Sequence, residues 1–290
     1  MNWGNLVLDK PSLKEEILSE QAGCRSERLS SYDKRQMQYL LRAKLGSYKA
    51  GWAIMSAEAV VKKAFERKEN TCIGWSGGMC STVILDMALN HDPDVTVLYS
   101  NTGVEFPENV KYVHKIAKEW ALNLVELIPE TTYWKVKDEK GWPQIRTQDT
   151  REPACCEALK YKPRREFFKK EHIKINLTGL RASESDMRVN HAVRFGQIYD
   201  VKHGAMTVYQ PILYWGPQEV EAYFRLNNIP RNDVYKTQER NGCWCCPAHN
   251  GWEDSVFNWS PCAYQWLCKQ MCIKPQSRLL PFNMSEVEKK

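Results

Sequence analysis

Long apolar runs are missing from this 290-residue chain. Nowhere do about 18 apolar residues follow one another, so no membrane-spanning helix is expected. Internal repeats and low-complexity tracts are also missing, which excludes solenoid and disordered-linker architectures. The first residues, Met1-Asn-Trp-Gly-Asn-Leu-Val-Leu-Asp-Lys10, lack the basic-then-apolar layout of a secretory signal, and the expected compartment is the cytoplasm. A strong charge of one sign is absent too. Lys and Arg number 41 against 35 Asp and Glu, and the resulting +6 suits an enzyme of an anionic nucleotide without requiring nucleic acid.

Cysteine, by contrast, is not scarce. The eleven cysteines cluster in short motifs, and with no export signal, reduced metal-binding thiols are expected rather than disulfides. Hydrophobic residues make up 43% of the chain, enough for one α/β core with smaller appendages. Basic residues concentrate between Arg25 and Lys49, where Arg25, Arg28, Lys34, Arg35, Arg42, Lys44 and Lys49 face only Glu27 and Asp33. Such an arm can be a solvated helix face, a dimer contact or a grip on nucleic acid.

Periodicity sets the expected organisation. Residues 1–68 read as a basic helical extension, with helices over Asp33–Leu45 and Trp52–Arg67, where Ala53, Ala57, Val60, Val61 and Ala64 recur at helical spacing. Residues 69–250 read as the core domain. Strands are expected at Thr71–Trp75, Val95–Tyr99, Asn123–Ile128 and Ile173–Thr178. Helices are expected at Thr82–Leu89, Pro107–Ala121 and Cys156–His172, the last with Pro163 as a kink. This alternation predicts a Rossmann-like α/β fold with a parallel sheet and helices on both faces. Further on, Tyr209–Leu213 reads as extended and Pro217–Asn227 as a helix. Residues 251–290 are expected to be an irregular, aromatic and cysteine-rich tail, frayed after Pro275.

Trp75-Ser-Gly-Gly-Met-Cys-Ser81 sits where the first strand turns into a helix. Gly77 and Gly78 let the backbone approach an oxyanion, the helix start offers free N–H groups, and Ser76 and Ser81 add hydroxyls. Alone, the motif fits an ordinary tight turn equally well. The second strand is followed by Ser100-Asn-Thr-Gly-Val-Glu-Phe-Pro-Glu108, at the edge where ligands bind in open α/β sheets. Together the two segments resemble the phosphoadenosine-phosphosulfate reductase family, within the PP-loop ATP pyrophosphatases. The resemblance implies an adenine-nucleotide alpha-hydrolase-like fold, and it carries over Asn101, Thr102, Gly103, Glu105 and Glu108 as binding residues. Met79 and Cys80 stand where Lys-Asp is common in that family, and Asn101 where Asp is usual. In the ATP-cleaving members the Lys and Asp serve pyrophosphate and its magnesium, so the departure favours a reductase-like substrate. Leu177-Thr-Gly-Leu-Arg-Ala-Ser-Glu-Ser-Asp-Met-Arg188 resembles the family's Gly-x-Arg-x-x-Glu-Ser-x-x-Arg stretch at Gly179, Arg181, Glu184, Ser185 and Arg188. Its arginines suit bidentate contacts to phosphate or sulfate, although two surface arginines on a solvated turn would look the same.

Cys155-Cys156 and the distant Cys243-Trp-Cys-Cys246 supply four thiolates, with Cys245 as a fifth. Such a set can hold a [4Fe–4S] cluster or a structural zinc, or can pack as buried apolar thiols. The layout resembles that of the adenosine-phosphosulfate reductases, which implies a [4Fe–4S] cluster on Cys155, Cys156, Cys243 and Cys246. Lys160 falls where that branch links cluster and substrate. Those enzymes attack sulfur with a cysteine in a C-terminal Glu-Cys-Gly-x-His tail. Pro281-Phe-Asn-Met-Ser-Glu-Val-Glu-Lys-Lys290 holds no such sequence, which leaves Cys262, Cys268 and Cys272 as candidates.

The resemblance most specifically implies thiol-dependent reduction of adenylyl sulfate (APS), or its 3′-phosphorylated form (PAPS), to sulfite and AMP, with a thioredoxin-like electron donor and a homo-oligomeric assembly. One alternative is an ATP-dependent sulfurtransferase acting on nucleic acid, which would use magnesium and give Arg25–Lys49 a purpose. A non-catalytic nucleotide-binding module with a structural cluster is the other.

Overall fold

The apolar stripe Ala57, Val60, Val61 and Ala64 is buried along one side of helix α1 (Ala57–Glu66), and the Ser56 hydroxyl caps it by accepting from the Ala59 N–H at 3.2 Å. The structure, a computed structural model, describes residues 55–143, 153–201, 205–249 and 251–276. The basic arm Arg25–Lys49 and the expected helix Asp33–Leu45 lie outside the described residues.

Strand β1 (Thr71–Gly74) is a continuous buried run, as a central parallel strand covered on both faces should be. It leads into α2 (Met79–Leu89), which buries Ser81 to Leu85, Met87 and Ala88 and is apolar nearly all round because it lies inside the core. The order continues with β2 (Thr96–Ser100), α3 (Pro107–Glu119), β3 (Leu124–Leu127), α4 (Tyr133–Lys140), a long helical run α5, β4 (Ile175–Thr178), α6 (Asp186–Phe195), β5 (Ile198–Val201), β6 (Met206–Tyr209), α7 (Pro217–Leu226), α8 (Trp252–Trp259) and α9 (Pro261–Met271). Run α5 is α-helical over Ala154–Cys156, a π-helix over Glu157–Tyr161 and α-helical again over Lys162–Lys170. Pro163, expected as a kink, lies just after the π turn; without an N–H it cannot donate back into the preceding turn.

The strands form one six-stranded sheet in the order β3-β2-β1-β4-β6-β5. Strand β1 pairs in parallel with β2 and β4, and β4 in parallel with β6. Two differences from the sequence reading concern the last strands. The sheet is mixed, because β5 runs antiparallel to β6, and the segment expected to be extended over Tyr209–Leu213 contributes only Tyr209 to a strand. Residues 211–214 turn instead, which follows from Pro211 lacking a ladder donor. The tail expected to be irregular carries two helices. Helix α9 begins at a Ser260 cap with Pro261 in its first turn, and Leu267 and Cys268 on its inner side are buried.

The chain divides into two compact units. Among the described residues, one comprises 55–98, Trp120–Val125 and Phe168–Pro230, and holds the glycine turn. The other comprises Tyr99–Glu119, Glu126–Phe167 and residues from Arg231 on, and holds the cysteine motifs. Within the first, α7 packs on α2, where the Tyr223 hydroxyl donates to Asp86 at 2.7 Å. Within the second, a core of Val104, Tyr133, Leu159, Trp252, Val256, Tyr264 and Leu267 encloses Cys155, Cys245 and Cys268.

Candidate functional site

In the glycine-turn unit, the backbone leaves β1 through Gly77 at φ +73, a left-handed conformation that a side chain would resist. The turn is tied from within. Ser76 Oγ and Ser81 Oγ lie 3.1 Å apart, the Gly78 N–H donates to Ser76 Oγ at 3.3 Å, and the Ser81 and Thr82 hydroxyls both donate to the Gly78 carbonyl at 2.9 Å. Below it, the Trp75 indole N–H donates to Thr82 at 3.0 Å. The serines therefore brace the turn, and Gly78 caps α2 without a side-chain hydrogen bond.

The segment after β4 lies directly on this turn. A methyl group at Gly179 would sit 2.5 Å from the Cys80 carbonyl carbon and oxygen and 2.6 Å from the Ser81 nitrogen, so only glycine permits the contact. Two residues on, Arg181 donates from Nε to Cys80 Sγ at 3.0 Å and from Nη1 to Ser183 Oγ at 3.3 Å. Glu184 binds both arginines: Arg181 Nη2 is 3.3 Å from Oε1, and Arg188 Nη1 is paired with Oε2. Arg181 keeps only 12% of its side-chain surface, Arg188 40%. The first and third binding segments expected from the sequence thus meet in one unit. The sequence reading did not foresee Cys80 as part of this cluster; the residue was visible only as a departure from Asp.

Asn101, Thr102, Gly103, Glu105 and Glu108 belong to the cysteine unit. Asn101 Oδ1 accepts from the Gly103 N–H at 3.0 Å across a left-handed glycine (φ +75), while its amide donates to Glu126 at 2.7 Å. The second bond explains the amide: an aspartate here would set two carboxylates face to face. Thr102 Oγ1 donates to Glu105 at 3.1 Å and lies 3.5 Å from Cys243 Sγ. Glu105 pairs through its backbone with Cys243, and the Trp244 N–H donates to the Val104 carbonyl at 3.0 Å, so this loop and the second cysteine motif form a short β-like ladder. Asn109, fully buried, donates to Glu105 Oε2 at 3.4 Å and accepts from Asn232 and Asn241, both at 2.7 Å. Glu108 Oε1 accepts from the Trp259 indole at 3.3 Å.

Lys160, on the π turn, lies 3.6 Å from Glu105 Oε1. Its ammonium is held well above the ordinary lysine range, by the charge of Cys243 first and then by Glu105, Cys156 and Cys246, against the cost of burial. Burial in turn pushes the Cys243 thiol up, although Lys160 and Thr102 oppose this, and it pushes up Cys246 and Cys245 as well. Cys155 moves the other way, lowered mainly by a hydrogen bond from Cys156. A buried ammonium beside these sulfurs is the partner that anionic, metal-bound cysteines would have. Cys155, Cys156, Cys243 and Cys246 are all free thiols and sense one another electrostatically, so their donor chemistry fits a thiolate-held group. Among the described residues, no three His, Cys, Asp or Glu side chains stand ready-made around a metal ion. Cys245 is fully buried, and its backbone carbonyl accepts from Tyr133 at 3.2 Å.

Around these thiols stands a wall of indoles that the sequence reading assigned no role. Trp134 meets Trp142, Trp244 and Trp266 at centroid distances of 6.4, 6.2 and 5.3 Å, and Trp244 meets Trp259 at 5.4 Å. Trp244, between two of the cysteines, was the signal available. Of the candidate nucleophiles, Cys268 is buried and its thiol is pushed up by that burial, while Cys262 and Cys272 are exposed.

Residues 70–249 match the phosphoadenosine phosphosulfate reductase domain. The chain belongs to this family. Among its relatives is a protein of Methanocaldococcus jannaschii, 31% identical over 199 residues, which cover 66% of this chain and 45% of that protein. A second from the same organism is 30% identical, with 67% of this chain and 39% of that protein covered; the chain thus spans less than half the length of either. The adenosine 5′-phosphosulfate reductase of Halalkalibacterium halodurans is 25% identical over 225 residues, 69% of this chain and 90% of the reductase. Among solved structures, the phosphoadenylyl-sulfate reductase of Candida auris in its phosphate complex superimposes with a TM-score of 0.52 at 19% identity, covering 76% of this chain and 98% of that one, a likeness of fold. No helix among the described residues is long and apolar enough to cross a membrane.

Proposed function

We propose that this family member reduces a sulfonucleotide, adenylyl sulfate foremost, to sulfite and AMP, drawing two electrons from a thioredoxin-like dithiol. The observation that carries this reading is the pair Arg181 and Arg188, held by Glu184, with Arg181 donating to Cys80 at the start of α2. Two planar guanidiniums beside a glycine turn suit the tetrahedral oxyanions of a phosphate–sulfate tail. The turn offers no lysine or aspartate for a triphosphate and its magnesium: Met79 and Cys80 occupy those places. Adenosine 5′-phosphosulfate reductases among the relatives support the same substrate class.

In this reading Cys155, Cys156, Cys243 and Cys246 hold a [4Fe–4S] cluster, which when bound supplies a charged, redox-capable centre. Lys160 offsets the negative charge of the thiolates, and Glu105, fixed by Thr102 and Asn109, holds Lys160 in place. The indoles of Trp134 and Trp244, packed on the same core as Cys155, Cys156 and Cys243, add an apolar surround to the site.

Anaerobic calorimetric titration with adenylyl sulfate, its 3′-phosphorylated form and ATP with magnesium tests the reading. Tightest binding of a sulfonucleotide, with sulfite and AMP released on adding a dithiol, is the expected result. Preference for ATP would replace it with ATP-dependent sulfur transfer, and salt-sensitive binding of nucleic acid would then be measured next.

A further inference from the structure

We propose that Cys80 is the thiol that receives the sulfonate group from the sulfonucleotide. This role rests on the reductase reading above; the site itself is defined by the glycine turn and the arginine pair, and Cys80 is the nucleophile within it. Of the two cysteines of this unit among the described residues, Cys72 is fully buried in β1, where it donates to Asn176 at 3.7 Å. Cys80 is only partly buried, on the second residue of α2.

Three observations place Cys80 where a sulfur electrophile would arrive. Arg181 Nε points at its sulfur from 3.0 Å, so the guanidinium that would bind the substrate's oxyanion also orients the thiol. Glu184, 3.7 Å from the sulfur, is engaged by both arginines. The third is an unfilled hydrogen-bonding position. The Thr178 hydroxyl, just before Gly179, is buried without a partner among the described residues, and Gly179 packs on the Cys80 backbone. Buried hydroxyls are seldom left unpaired.

The Cys80 sulfur attacks the substrate sulfur, and its proton passes to solvent. An S–S bond forms as the S–O bond to the phosphate breaks, and AMP leaves with that electron pair. Cys80 now carries an S-sulfonate. One thiolate of a dithiol attacks the Cys80 sulfur and expels sulfite with the S–S electron pair. The second thiol then resolves the mixed disulfide, so the dithiol is oxidised and Cys80 restored.

The test incubates the full chain anaerobically with adenylyl sulfate and no reductant, then maps its cysteines by mass spectrometry. The expected result is one SO3 group on the Cys80 peptide, lost with release of sulfite when dithiothreitol is added. Cys80→Ser should still bind adenylyl sulfate, which verifies its fold and site, but lose both the adduct and the single-turnover release of AMP. An adduct on Cys262 or Cys272, or undiminished AMP release by Cys80→Ser, would overturn the role of Cys80 and leave the reductase reading standing. A wild-type chain that binds no sulfonucleotide would remove both.

Discussion

Arg181 and Cys80 meet side chain to side chain, the guanidinium Nε donating to the sulfur at 3.0 Å, across a sequence separation of 101. The same guanidinium reaches Glu184 through Nη2. Its planar fork is what serves Cys80, Ser183 and Glu184 at once. Arg181→Lys keeps the charge but loses the fork, and is expected to weaken sulfonucleotide binding roughly tenfold to a hundredfold, the value of one or two charge-assisted hydrogen bonds. Calorimetry against the wild-type chain checks this; an unaltered affinity would remove Arg181 from the site.

Gly179 marks where two segments touch backbone to backbone. Gly179→Ala introduces a carbon 2.5 Å from backbone atoms of Cys80, which cannot swing away as a side chain could. The expected cost is about 1–3 kcal/mol or more, with loss of nucleotide affinity because the turn is displaced. Urea unfolding and calorimetry on the same sample should both register it. A variant as stable as the wild type would show that the two segments separate easily.

For the cysteine set, Cys155→Ser or Cys246→Ser is expected to abolish the iron content and visible absorption of anaerobically purified protein. Cys262→Ser, at an exposed position on α9, should leave both unchanged. Iron retained in full by the first two variants would sink the cluster assignment, and zinc in place of iron would redirect it.

Acid sensitivity should centre on His191. Its ring lies 4.7 Å from Phe195 and 4.9 Å from Tyr199, its Nε2 is buried without a partner among the described residues, and burial holds its pKa below the usual imidazole value. The unfolded chain therefore takes up a proton, near pH 6.5, more readily than the folded one. The contribution of His191 is fully present above that pH and declines as pH falls below it. A thermal midpoint that drops between pH 7.5 and 5.5 in the wild type, and drops less in His191→Phe, is the expected pattern. Equal drops would assign the acid sensitivity elsewhere.

Much of the sheet was legible because its strands are buried runs. Thr71–Gly74 and Ile175–Thr178 are each buried over their first three residues around Cys72, Ile73, Ile175 and Leu177, and the β1 turn announces itself through Gly77 and Gly78. Strands β5 and β6 were missed because each is only four residues long, with polar residues such as Asp200 and Thr207 that pair with each other at 2.7 Å. That bond is tertiary, and no local pattern encodes it. Helices α8 and α9 were missed for a related reason: Trp252, Trp259 and Trp266 drew the eye as an aromatic run, while the Ser260-Pro261 start signal lay inside it. Among the proposed site residues, Arg181, Glu184 and Arg188 could be named from their likeness to the family's stretch, and the structure brings them together. Asn109 was not, because its importance lies in accepting from Asn232 and Asn241, far along the chain.

The π turn over Glu157–Tyr161 has a consequence for the chain's history. A π turn holds one residue more than the α turn it replaces, as an α-helix would after a single-codon insertion. Everything beyond it is rotated relative to Cys155 and Cys156, and Lys160 sits inside the widened coil. Removing one residue between Glu157 and Tyr161 would leave a regular helix of unbroken composition, yet turn the lysine away from Glu105. At this stretch a change of length is therefore a change of phase, and descendants of this chain can vary its residues far more freely than their number.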